Sequence, residues 1–205
     1  MQVEYNTGNI EKYKSKNPLK KAMVERLNKR IIDNLVEMTE GEPVRILDAG
    51  CGEGFIDSLI INRIPNVEIV GFEFTEEAIA IAKKINPTVN YLQGDVCKMP
   101  FEDDSFDCVI CTEVLEHLSD PEKALKEMLR VSRGDLLITV PHEPWFCLGN
   151  LLVLKNVRRL GNLIDHVNHW TVASFRKFLK NAKDECWKIG TSFPWIIVRY
   201  SVHSQ

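Results

Sequence analysis

The sequence contains no uninterrupted apolar run near the roughly 20 residues a membrane-crossing helix needs, so a spanning segment has no support in the hydropathy pattern. Residues 1–16 are polar and lack the apolar core of a secretory leader, which sets the expectation of a cytoplasmic protein. An excess of one charge is also missing. The 26 Lys and Arg against 29 Asp and Glu leave a net charge of −3, which is not the footprint of a general nucleic-acid binder. There is no internal repeat, low-complexity tract or Gly/Ser linker. The six cysteines (Cys51, Cys97, Cys108, Cys111, Cys147 and Cys186) form no disulfide framework and are expected as reduced thiols. Cys108 and Cys111 have CxxC spacing but fall in a strand pattern, where residues three apart point to opposite faces and cannot share an ion.

What is present is an ordinary globular composition, 44% hydrophobic and 27% charged over 205 residues. It is enough for one domain with a core that needs no covalent staples. Apolar residues at Met23, Leu27, Ile31, Leu35 and Met38 predict a helix opening at Pro18, and Gly41 and Pro43 mark its end. Strands are then predicted at 44–49, 67–74, 90–93, 106–112 and 135–140. Helices at about 55–63, 75–85 and 121–131 alternate with them, the last opened by Ser119-Asp120-Pro121-Glu122. After a long segment, one more helix (172–180) precedes two strand-like runs (186–192 and 195–203) joined by Phe193-Pro194, which should pair as an antiparallel hairpin. The expected class is α/β: a doubly wound, mostly parallel seven-stranded sheet with a C-terminal antiparallel hairpin and helices on both faces. The expected organisation is one domain over 1–205, with an N-terminal lid and helix at 1–40 and a substrate-side insert at 141–170.

The richest stretch is Val44-Arg-Ile-Leu-Asp-Ala-Gly-Cys-Gly-Glu-Gly-Phe-Ile56. It reads as a buried strand ending at Asp48 and Ala49, a turn carrying Gly50, Cys51, Gly52 and Gly54, and the start of a helix. Such glycines allow close approach of backbone to a ligand. An acid just before the turn suits a ligand with hydroxyls or an ammonium group, and points to S-adenosylmethionine (SAM) rather than to a dinucleotide pyrophosphate. The NAD-dependent oxidoreductase alternative requires G-x-G-x-x-G with an acid some twenty residues later. Glu73 meets the second condition. The first fails, because Phe55 stands where the third glycine should be.

Four pieces in order carry a resemblance: Ile46-Leu-Asp-Ala-Gly-Cys-Gly-Glu-Gly54, Gly71-Phe-Glu73, Gly94-Asp95-Val96 with Met99-Pro100-Phe101, and Asp104-Ser-Phe-Asp-Cys-Val-Ile110 followed by Glu113-Val-Leu-Glu-His-Leu118. Together they resemble the class I, seven-stranded SAM-dependent methyltransferases, in the small-molecule branch similar to the quinone-biosynthesis enzymes. The likeness covers residues 44–140 well and the remainder loosely. It implies a turn from Ala49 to Gly54 against the methionine and ribose of SAM, and Asp48 accepting from the ammonium group directly or through water. It further implies Glu73 accepting from both ribose hydroxyls, Phe74 covering one face of the adenine, and Asp95 and the Val96 N–H reading its edge. Glu113 would line the same pocket.

For the acceptor side, ligands of open α/β sheets bind at the carboxyl ends of the strands. His142 follows the fifth strand and is a candidate base, since an unperturbed imidazole titrates near neutrality. Glu113 and His117 are four apart, as on one helix face, which makes His117 a second catalytic candidate or a member of a local orienting pair. The stretch from Trp145 to Trp170 combines apolar runs, a basic cluster at Lys155, Arg158 and Arg159, and a polar group of Asp165, His166, Asn168, His169 and Trp170. His166, His169 and Trp170 are candidate substrate contacts in a pocket for a small, lipophilic acceptor. The same stretch also fits a helix with snorkelling basic residues or contact with a membrane surface. His166 and His169 with His142 and Cys147 match no zinc-finger spacing, so no metal is expected. The reading is a SAM-dependent methyltransferase acting on a small molecule, with no nucleic-acid partner. Its alternative is a non-catalytic SAM-binding partner subunit.

Overall fold

The computed structural model describes residues 16–39, 44–152, 166–183 and 186–202. Helix α1 (Pro18–Thr39) opens with the Asn17 side chain accepting from the Leu19 and Lys20 N–H groups. It is followed by β1 (Val44–Ala49), α2 (Phe55–Arg63), β2 (Val67–Glu73), α3 (Glu76–Ile85), β3 (Asn90–Gln93) and β4 (Phe106–Thr112). A single 3₁₀ turn (Leu115–His117) leads to α4 (Pro121–Val131), β5 (Ser132–Pro141), α5 (Trp145–Leu152), α6 (Val172–Ala182), β6 (Trp187–Ser192) and β7 (Trp195–Ser201). Residues 1–15 of the expected lid lie outside the described residues, as do Lys155, Arg158, Arg159 and Asp165.

One seven-stranded sheet runs in the order β3-β2-β1-β4-β5-β7-β6. The pairs among β1 to β5 are parallel, and β7 runs antiparallel to both β5 and β6. This is the doubly wound architecture that the strand–helix alternation predicts, with the hairpin at its far edge. The order reverses between β1 and β4, the kind of switch point at which such sheets hold ligands.

Alternation along the strands divides the core in two. Leu47, Val70, Val109, Cys111, Leu136 and Ile138 pack with α4 and α6 on one face. Ile46, Ile69, Cys108, Ile110 and Leu137 pack with α1 and α2 on the other. Cys108 and Cys111 therefore do lie on opposite faces, and all six cysteines are free. The helices are started by local chemistry. Asp120 accepts from the Lys123 N–H at 3.0 Å with Pro121 in the first turn of α4, and Thr171 and Ser174 form a reciprocal cap on α6. Arg130 on α4 donates to the carbonyls of Met99 and Phe101 and pairs with Glu127 and Asp103, so the loop after β3 is fixed to the helix beneath it.

Some boundaries differ from expectation. Strand β5 begins at Ser132 rather than Asp135, because α4 passes into it without a loop and a register shift opposite Phe106 and Cys108 absorbs the join. Glu113 and His117 do not share a helix face. Glu113 has a left-handed backbone (φ 56°), and only Leu115–His117 is helical.

Candidate functional site

The candidate site is built at the carboxyl ends of β1, β2 and β4. Register places Asp48 beside Gly71 and Ile110, and Ala49 beside Phe72. The chain then turns sharply. The N–H groups of Gly50 and Cys51 both donate to the Phe72 carbonyl, at 2.7 and 3.3 Å. Gly50, Gly52 and Gly54 have φ of 85°, 53° and 73°, torsions that disfavour side chains. Gly54 caps α2. A Cβ there would lie 2.5 Å from Tyr91 Oη and 2.8 Å from Asn86 Nδ2. Gly50 lies against Val114, whose Cγ2 would be 2.3 Å from an added Cβ. The turn is thus locked from below by the β3 region and from the side by the segment after β4.

Glu73 closes this loop. Its Oε2 accepts from the Gly52 N–H at 3.0 Å, and its Oε1 accepts from the Thr75 N–H at 2.9 Å. A carboxylate oxygen has two acceptor positions, so each oxygen keeps one for a ligand hydroxyl. Asp95 stands one strand further out, exposed, with Oδ1 accepting from the Cys97 N–H at 2.8 Å. Phe74 is 74% exposed, so its ring is available to a planar ligand. Val96 is buried.

Asp48 lies differently from the surface acceptor that its position suggests. It is 1% exposed and faces Asp57 in the first turn of α2. Burial, then the charge of Asp57 and a hydrogen bond with it, then the charge of Glu73, raise the Asp48 carboxyl well above the ordinary carboxylate range. Asp57 is raised by burial and held down by hydrogen bonds from Tyr91 and Asp48. The pair therefore titrates as a unit, and the native state retains a proton there above the ordinary carboxylate range. Tyr91 Oη donates to Asp57 Oδ2 at 2.7 Å, and Asn86 Nδ2 donates to the Gly54 carbonyl at 2.8 Å. A ligand on the loop meets backbone first and Asp48 only beneath it. Burial also pushes the Cys51 thiol up, so it stays neutral. Asp57 carries no distinctive signal in the sequence, because an acid in a first helical turn reads as favourable dipole chemistry; only its burial sets it apart.

The residues expected on the acceptor side separate in the fold. The Glu113 carboxylate accepts from the Trp195 indole N–H, and its own N–H donates to the Thr139 carbonyl at 3.0 Å. His142 is half-buried at the β5–α5 junction, its N–H donating to the Pro194 carbonyl at 2.8 Å. Beside it, buried Glu143 accepts from the Cys147 N–H at 3.2 Å and lies 3.9 Å from His169 Nδ1. Burial, then the Glu143 contact, pushes the Cys147 thiol up to about 12. His117 and His166 meet ring to ring at 5.0 Å, and His166 stacks on Phe146 at 5.5 Å. Trp170 is 9% exposed and packs on Phe175 and Phe178 at 5.1 and 4.8 Å. Its ring belongs to the core, while its carbonyl accepts from the Glu143 N–H. The sequence pairing of His166 with His169 is replaced by His166 with His117 and His169 with Glu143.

Comparison with known proteins agrees with this layout. Residues 47–138 match the family model described as a methyltransferase domain. The demethylmenaquinone methyltransferase of Thermus thermophilus is 32% identical over 124 residues, 58% of this chain and 55% of that protein. The enzyme of the same name from Renibacterium salmoninarum is 29% identical over 120 residues, 58% of this chain and 49% of that protein. The chain thus spans about half the length of the curated relatives it matches. Among solved structures, the magnesium protoporphyrin IX methyltransferase of Synechocystis PCC 6803 with bound S-adenosylhomocysteine (SAH) superposes with a TM-score of 0.69 at 17% identity. That superposition covers 96% of this chain and 95% of that one, and shows that the fold continues beyond the matched segment. No helix among the described residues is long and apolar enough to cross a membrane. Residues 47–138 thus match a methyltransferase domain, and the fold around them is the one seen in the structurally similar methyltransferase.

Proposed function

We propose that the chain transfers the methyl group of SAM to a small, lipophilic acceptor, and that the 49–54 turn, Glu73, Phe74, Asp95 and Val96 hold the cofactor. The observation that carries this reading is the Glu73 carboxylate. Two backbone N–H groups fix it, one of them from the glycine turn, with one acceptor position left on each oxygen. This is a two-point acceptor for a ribose diol. A dinucleotide pyrophosphate would add negative charge beside Glu73 and the Asp48–Asp57 pair, an unfavourable placement in a partly desolvated site. SAM carries its positive charge on the sulfonium and its ammonium group, and suits the same surroundings.

Methyl transfer needs an acceptor atom in line with the sulfonium and a site that excludes water. On this reading the acceptor lies between the ends of β4 and β5, where His142, Glu143 and His169 gather. His142 is the candidate base for an acceptor that must lose a proton. Residues 1–205 are assigned to one domain, with 1–40 as an N-terminal lid and helix and 141–170 as the acceptor-side insert. The demethylmenaquinone and protoporphyrin acceptors named for the similar proteins support a small and largely apolar molecule.

Calorimetry with SAM, SAH and NADH side by side tests the reading. SAM and SAH should bind one per chain and NADH should not. Glu73→Gln should weaken SAH binding by about 1–3 kcal/mol, the cost of stranding charge-assisted hydrogen bonds, or roughly 5- to 150-fold in Kd. An unchanged Kd removes Glu73 from the site. SAH binding with no turnover on quinone, lipid-precursor or amine acceptors would favour a non-catalytic partner subunit.

A further inference from the structure

We propose that Glu116, His117 and His166 form a divalent-metal site of one carboxylate and two imidazoles at the edge of the cofactor loop. One ligand atom from each of the three lies within 4.8 Å of the others. Around a zinc-like ion with bonds of about 2.0–2.2 Å, ligand atoms stand roughly 3–4.4 Å apart. Closing the set therefore takes a contraction of under about 2 Å, and His117 is exposed. The spacing of His166 and His169 argued against a metal. The fold instead brings His166 to the Glu116-His117 pair from a distant part of the chain.

The surrounding structure holds these groups in place. The N–H groups of Val167 and Asn168 both donate to the Glu116 carbonyl, at 2.9 and 3.0 Å. Asn168 Nδ2 donates to the carbonyls of Leu115 and Leu118, at 3.0 and 2.7 Å. This strap fixes the 3₁₀ turn against the segment that carries His166. The His166 ring is stacked on Phe146 and edge-on to His117, which limits its rotation. Glu116 is 1% exposed and His166 is 8% exposed. A carboxylate so enclosed is costly unless donors or a cation offset its desolvation. Two neutral imidazoles and a carboxylate select a transition-type ion such as Zn(II), Mn(II) or Co(II) over Mg(II) or Ca(II), and three protein ligands leave positions open.

The role of the ion rests on the proposed methyl transfer. Val114, which packs on Gly50, precedes the metal turn directly, so an acceptor oxygen on the ion would lie beside the cofactor loop. The ion would favour the deprotonated acceptor, whose proton passes to solvent or to the candidate base His142. The oxygen lone pair then forms the O–CH₃ bond as the S–CH₃ bond breaks, and its electron pair returns to sulfur in neutral SAH.

The test uses the full chain stripped with chelator and titrated with Zn(II), and separately with Co(II), whose visible absorption reports its ligands. One ion per chain is expected, with a rise in melting temperature, and with His117→Ala and His166→Ala each lowering affinity at least tenfold. His117 is exposed, so its variant should fold, and unchanged circular dichroism and SAH affinity would confirm this. Absence of Zn(II) and Co(II) binding by chain that binds SAH, or binding indifferent to both variants, overturns the metal site and leaves the cofactor reading standing. Loss of SAH binding with metal binding intact does the reverse.

Discussion

Gly54→Ala is the sharpest test of how the cofactor loop is built. At φ 73° a Cβ costs about 1–2 kcal/mol from backbone sterics. The same Cβ would stand 2.5 Å from Tyr91 Oη and 2.8 Å from Asn86 Nδ2, so both must move. Tyr91 would then give up its 2.7 Å bond to Asp57, or Asn86 its 2.8 Å bond to the Gly54 carbonyl. A buried polar group left unsatisfied costs about 1–3 kcal/mol. The sum is about 2–5 kcal/mol, and at about 2–4 °C per kcal/mol for a domain of this size the melting temperature should fall by about 4–20 °C. Thermal denaturation followed by circular dichroism without ligand reads the change. Gly149→Ala is the control. It lies within α5 with nothing within 4 Å of an added Cβ, so it should be neutral or stabilising by up to about 1 kcal/mol. In a Tyr91→Phe background the Gly54→Ala penalty should shrink, because the closest clashing atom is gone. A Gly54→Ala melting temperature within about 2 °C of the parent would refute the loop–Tyr91 packing as the reason for glycine here.

Asp48→Asn should raise stability at pH 8 and leave it little changed near pH 4. The folded-state carboxyl is raised by burial and then by Asp57. The native state therefore keeps a proton that the unfolded chain releases above the ordinary Asp value of about 3.9, and wild-type stability falls as pH rises through that window. Melting temperatures of both proteins from pH 4 to 8 should diverge upward, and parallel curves would contradict the shared proton. Asn168→Ala removes two bonds to backbone carbonyls and should cost about 1–3 kcal/mol. SAH affinity should stay within about twofold, since the strap touches the 3₁₀ turn and not the glycine loop; a large loss of SAH binding would place the strap inside the cofactor site.

The parts of the fold that were legible in the sequence carry their own punctuation. Helix α2 opens where Gly54 ends, β4 is a bounded apolar run, and α4 has Asp120 and Pro121 at its start. The hairpin of β6 and β7 followed from two strand-like runs with no room for a crossover. The illegible parts depend on burial and on distant contacts. Glu113 and His117 have helical spacing, yet nothing in Glu113-Val-Leu-Glu-His117 signals that Glu113 adopts a left-handed backbone or that its carboxylate reaches Trp195. Asp57 and Glu116 look like solvated helix-end acids in one dimension and are among the most enclosed carboxyls in three. Trp170 stands in a polar group in the sequence and fills the core in the fold.

These differences follow a division in the site itself. Most elements around the glycine loop come from one continuous stretch, Asp48 to Asp95, with Val114 the distant contact, so strand ends and turns set most of their geometry. On the proposed function, the acceptor side needs Glu113 to His117, His142 and Glu143, His166 to Trp170, and Phe193 to Trp195 to meet across the ends of β4, β5 and β7. The family match stops at residue 138, before most of those segments begin, while the fold itself extends across 96% of the chain. A sheet that binds one methyl donor needs the same loop in every relative, whereas each acceptor needs its own walls. On the proposed function, acceptor choice therefore resides in the segments after β5. There a single strap joins Glu143, through the Trp170 carbonyl, to Glu116, through the N–H groups of Val167 and Asn168. A change of acceptor can then be made by altering the strap without disturbing the hydrogen bonds that hold Glu73 to the glycine turn.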